Sequence, residues 1–83
     1  MTYAMVLIEK PDENHLWPTA LATIENKEPP EGATKLPGHS WLIHLESGLD
    51  FFGTLQRHIA SNGLRHAVAF FAEKPEFILK VPA

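Results

Sequence analysis

The chain has 83 residues, 45% of them hydrophobic and 20% charged, with a formal net charge of −3 and no cysteine. This composition argues against wholesale disorder and excludes disulfide staples and thiolate chemistry; so mild a charge gives no global electrostatic reason for a nucleic-acid or acidic-membrane partner. A chain of this length fits one domain burying roughly 60–65% of its unfolded surface, enough for a real but thin core.

The start, Met1-Thr2-Tyr3-Ala4-Met5-Val6-Leu7-Ile8, lacks a basic n-region and a long apolar h-region, and no apolar run approaches the ~20 residues of a spanning helix. A soluble, cytoplasmic protein is expected. Tyr3 to Ile8 reads as a strand, short, rich in β-formers and apolar on both faces. Glu9-Lys10-Pro11-Asp12-Glu13-Asn14 ends it, because proline removes a ladder donor and biases the preceding residue away from helix. Trp17, Leu21 and Ile24 then sit at helical spacing, and Pro18 suits a first helical position, which predicts a short helix over Pro18 to Asn26. Thr19 to Glu25 also fits a strand, with Leu21 and Thr23 on one face and Ala20, Ala22 and Ile24 on the other. Glu28-Pro29-Pro30-Glu31-Gly32 breaks the chain on either reading.

Ala33 to Leu36 reads as a short strand closed by Pro37-Gly38, which suits the centre of a type II turn. Ser40 to Glu46 alternates, with Trp41, Ile43 and Leu45 against Leu42, His44 and Glu46, as in a half-buried strand. Ser47 with Asp50 three residues on has the form of a capping box, and Asn62-Gly63 supplies a stop, so a helix is predicted over 48–62. Its apolar stripe is Leu49, Phe52, Leu55 (or Gln56) and Ile59. Residues 64–72 form another strand apolar on both faces beyond His66, Glu73-Lys74-Pro75-Glu76 turns the chain, and 77–81 can return as an edge strand.

This order predicts an α+β fold, a small ferredoxin-like two-layer sandwich with an antiparallel or mixed sheet, two helices on one face and the first strand central. Helices cover one face only, so the other exposes an apolar patch of the kind that marks a partner surface or ligand groove. On that patch and its rim the candidate interaction residues are Leu42, His44, Glu46, Arg57, Arg65 and His66.

Histidines stand at 15, 39, 44, 58 and 66, without the spacing of a His-Glu-x-x-His or finger motif. His44 and Glu46, two apart on one strand face, are weak catalytic candidates, a carboxylate beside an imidazole being able to orient a general base. The plainer reading is a polar strip on a half-exposed strand, since a pair without a nucleophile or oxyanion site is a weak signal. With His39 or His66 as a third ligand they still fall short of a site, so no bound metal and no cofactor are expected. Arg57, His58, Arg65 and His66 make a basic stretch that could meet phosphate, but basic groups near a helix C-terminus more simply complement its dipole. No glycine cluster forms a phosphate cradle, Ser40, Ser47 and Ser61 lack a nucleophile elbow, and Trp17 and Trp41 read as core or interface anchors. Three classes of function remain: an interaction or regulatory module working as a homo-oligomer or with a protein partner through the sheet face, a small enzyme or ligand-binding protein using His44 and Glu46, and a nucleic-acid-associated protein using residues 57–66.

Overall fold

Tyr3–Ile8 forms β1, and the apolar character of both its faces suits a strand flanked on each side. It pairs antiparallel with β3 (Ser40–His44) along one edge and with β4 (His66–Phe71) along the other, while β2 (Ala33–Leu36) pairs antiparallel with the far edge of β3. The order across the sheet is β2-β3-β1-β4. The computed structural model describes residues 2–10 and 17–75, so the breaker at 11–14, His15 and the strand expected over 77–81 lie outside the described residues.

Val6 stands opposite Trp41 and Val68, and Tyr3 opposite His44 and Phe71. Because side chains alternate along a strand, Ala4, Val6 and Ile8 share one face with Trp41, Ile43 and Val68, and Tyr3, Met5 and Leu7 share the other with Leu42, His44, Ala67, Ala69 and Phe71. Two helices, α1 (Thr19–Glu25) and α2 (Leu45–Ser61), pack on the first face, where Leu21, Leu55 and Ile59 join Val6, Ile8, Trp41 and Ile43 in one buried cluster. The chain therefore has an α+β architecture with a four-stranded antiparallel sheet and two helices. Full burial of a side chain of this size stabilises by about 1.5–3 kcal/mol, so this cluster is the main source of stability.

The segment at 19–25 takes the helical alternative, with Leu21 buried and Pro18 as the N-cap rather than the first helical residue. Pro18 has no amide to offer, but its carbonyl accepts from the Ala22 N–H at 3.0 Å.

The strand expected over 40–46 stops at His44, and the helix expected over 48–62 starts at Leu45. Long-range partners decide this: the His44 N–H donates to the Gly32 carbonyl at 2.6 Å and the Leu45 N–H to the Thr2 carbonyl at 3.0 Å. His44 is consequently the N-cap, without a side-chain cap bond, and the capping-box reading of Ser47 is replaced by a position inside the first turn. Gly48, at φ −114° and ψ 16°, leaves helical geometry and joins that turn to the longer helix beyond. A Cβ at Gly48 would stand 2.7 Å from Ile43 Cγ2 and 3.1 Å from the Gly32 carbonyl oxygen, and a Cβ at Gly32 would stand 2.3 Å from Ser47 Oγ. Two glycines thus let the loop before β2 lie against the start of α2.

Past this break the buried stripe runs through Leu55 and Ile59 with Phe51 and Phe52 packed beside it, whereas Leu49, expected on it, is 60% exposed. The helix ends as its Asn-Gly signal predicts, with Gly63 at φ +61°. The Gly63 N–H bonds the Ala60 carbonyl at 3.2 Å and the Leu64 N–H the Ile59 carbonyl at 3.1 Å, the two bonds of a Schellman motif. Leu64 is taken up in that motif, which is why the strand expected from 64 begins at His66.

Candidate functional site

His44 and Glu46 are neighbours, though not as two residues of one strand face. His44 closes β3, Glu46 belongs to the first turn of α2, and His44 Nε2 lies 3.6 Å from Glu46 Oε2. Ser47 Oγ stands 3.4 Å from His44 Nδ1, and the imidazole stacks on the Tyr3 ring with centroids 4.8 Å apart at 24°. Serine, histidine and carboxylate therefore touch in series, a donor set that can move a proton. The separations are longer than working hydrogen bonds, and the Glu46 side chain is 66% exposed, where water screens it. Beside His44 lies a cleft of about 240 Å³ bordered by Tyr3, Gly32, Thr34, Leu42 and Lys74.

A second histidine is held more firmly. His39, in the β2–β3 turn, brings Nδ1 to 2.5 Å from Glu25 Oε1 at the end of α1, and its ring stacks on Trp17 with centroids 3.8 Å apart at 20°. Both partners are partly buried, so the carboxylate fixes the imidazole's orientation and tautomer. His39 also borders a groove of about 650 Å³ at the end of the sheet, together with Lys10, Ser40, Arg65 and His66. Sequence reasoning missed Glu25: it is fourteen residues from His39 in the chain, and only the packing of α1 beside the turn joins them. Among the described residues no group of three or more His, Cys, Asp or Glu is placed to hold a metal ion.

The basic stretch is tied down piecewise. Arg57 donates to Thr54 Oγ1 at 3.3 Å along α2, while Arg65 pairs with Glu9 at 3.2 Å across the β4–β1 edge, its side chain 87% exposed. His58 sits in the last turn of α2, where a cation complements the dipole, and His66 opens β4 on the surface.

Leu42 lies on the sheet face away from the helices but is only 4% exposed, with Met5 and Thr34 opposite it in register. Tyr3, Met5, Ala69 and Phe71 on that face are half-buried, and Leu7 and Ala67 are open to solvent. Lys74 stands beside Tyr3, Thr34, Leu42 and His44, so the chain leaving β4 turns inward over this face.

No protein-family model, curated protein sequence or solved structure matches this chain significantly. Among the described residues no helix is long and apolar enough to cross a membrane.

Proposed function

We propose that this protein is a small interaction module that works by self-association through its sheet, in a single domain of ferredoxin-like type. The order β1-α1-β2-β3-α2-β4, an all-antiparallel sheet and a central β1 support that fold reading. The observation that carries the function is the face away from α1 and α2, where Tyr3, Met5, Leu7, Ala67, Ala69 and Phe71 lie together beside the buried Leu42, with His44 and Lys74 at one side. Leu7, at 41% exposure, is the large apolar side chain most open to a partner there. Light scattering at high micromolar concentration tests the reading. The expected mass is twice the 9.3 kDa of one chain, and a monomer under those conditions overturns it.

A small enzyme or ligand-binding role is the second reading, favoured by the Ser47–His44–Glu46 contacts beside the cleft at His44. It requires that the protein label with a serine-directed phosphonate probe and that Ser47→Ala abolish labelling; an unlabelled protein removes the hydrolytic version. The nucleic-acid reading has less behind it, since Arg65 already faces Glu9.

A further inference from the structure

We infer that Asn62 is a site of spontaneous covalent modification, where the side-chain amide is lost to give aspartate or isoaspartate, and that the end of α2 holds the reaction back while it stays closed. The chemistry belongs to the Asn62-Gly63 dipeptide. The Gly63 backbone nitrogen attacks Asn62 Cγ, a C–N bond forms, and Nδ2 leaves as ammonia with the proton that the Gly63 amide gives up. Water then opens the five-membered imide at either carbonyl, so the chain runs on through the original backbone carbonyl or through the former side chain. One water has replaced one ammonia. Glycine in the second position favours the attack, because it has no Cβ to crowd the nitrogen.

The fold opposes this step in three ways. Asn62 sits at φ −104° and ψ 2°. At a tetrahedral Cα, a ψ near zero sets the next nitrogen about a third of a turn from Cβ around the Cα–C bond, whereas ring closure needs the two nearly eclipsed. The attacking amide is engaged as well, since the Gly63 N–H donates to the Ala60 carbonyl at 3.2 Å, and the Leu64 N–H behind it donates to the Ile59 carbonyl at 3.1 Å. The leaving group is tied back too: Asn62 Nδ2 donates to the His58 carbonyl at 2.8 Å. Turning ψ into the reactive position swings the peptide that follows and breaks both backbone bonds together. Leu64 packs against the buried cluster, so the reactive conformer is reached when the last turn of α2 opens and lifts Leu64 off it. Such local openings need less free energy than unfolding the domain.

The product cannot rebuild this helix end. Aspartate loses the amide donor to His58 and sets a negative charge at the negative end of the helix dipole, and isoaspartate adds a backbone carbon between position 62 and Gly63. Two residues further on, the Arg65 carbonyl accepts from the Glu9 N–H at 2.9 Å, where the pairing of β4 with β1 begins. Modification therefore loosens the joint between α2 and β4, and a chain that has opened carries a permanent mark of it.

The test is to incubate the full-length protein near neutral pH, native and in urea, and to follow each asparagine by peptide mapping and mass spectrometry, with isoaspartate identified by enzymatic methylation of its free α-carboxylate. Asn26 is the internal control: it closes α1 at φ −84° and ψ −5° but precedes Lys27, whose side chain hinders the attack. In urea Asn62 should convert well ahead of Asn26; no difference between them overturns the site. In the native protein conversion of Asn62 should be slower by about tenfold or more, and the ratio of native to urea rates should match the open fraction that hydrogen exchange gives for the Leu64 amide. Leu64→Ala, checked by circular dichroism, should raise the native rate several-fold and leave the rate in urea unchanged. Equal rates in the native protein and in urea overturn the protection by the helix end. A native rate that follows global unfolding, and stays put in Leu64→Ala while exchange at residue 64 quickens, overturns the local opening. Should Leu64→Ala not fold, the wild-type ratio decides alone.

Discussion

β2 and β4 both border the described sheet, yet only β2 carries the features that keep an edge from pairing. It is four residues long, it runs into Pro37, and Lys35 turns its ammonium inward, 5.1 Å from the Trp41 ring centre, where it also donates to the Leu36 and Gly38 carbonyls. Its other end is fastened by the bond from the His44 N–H to the Gly32 carbonyl and by the close approach of Gly32 to Gly48. β4 has six residues without proline or lysine, and its Phe70, 61% exposed, meets only the Phe52 ring among the described aromatic contacts, at 6.3 Å. The contrast teaches that the two borders of the described sheet are built differently, one fastened by its own side chains and turn, the other longer and aromatic.

Substitutions at the two borders should separate accordingly. Trp41→Ala removes the ring on which Lys35 rests and which Phe51 meets edge-on at 6.1 Å; at 1% exposure it should cost about 3–5 kcal/mol in urea unfolding. Gly48→Ala drives a methyl into Ile43 and the Gly32 carbonyl and should cost about 1–3 kcal/mol, with faster amide exchange at His44, whose bond to Gly32 it displaces. Lys35→Met keeps the stem but loses the ammonium, and should cost about 1 kcal/mol with faster exchange confined to the 36–40 turn. Phe70→Ser should change the stability of the dilute monomer by about 0.5 kcal/mol or less, since its ring is mostly in water. Equal costs at Trp41 and Phe70 would mean that the aromatic of β4 is held as firmly as the core ring on which β2 rests Lys35.

Much of the fold was legible in short-range pattern. The strands at 3–8 and 33–36 and the stop at Asn62-Gly63 follow from residues that decide their own conformation, β-rich apolar runs and a glycine able to take φ +61°, whereas 19–25 suited helix and strand alike and takes the helix with Leu21 packed in the core. The switch between β3 and α2 was not legible, because Leu45 suits a strand face and a helix turn alike. What settles it are carbonyls of Thr2 and Gly32, distant in sequence. The same limit governs the sites. His44 could be singled out beside Glu46 from spacing alone, though their proximity arises across a strand-to-helix corner. The better-held pair, His39 with Glu25, carries no local signature.

The position of β1 also bears on how the molecule comes to exist. This first strand is central, and its partners are Ser40–His44 and His66–Phe71, so Tyr3 waits for Phe71 across almost the whole chain. During synthesis the N-terminal strand emerges long before the residues that flank it, its apolar faces unsatisfied. Closing loops of that length costs entropy before pairing returns it, so refolding should be slower than in a helical bundle of equal size. Until His66–Phe71 docks, Tyr3–Ile8 has one edge open, and that interval is when the chain is most exposed to aggregation.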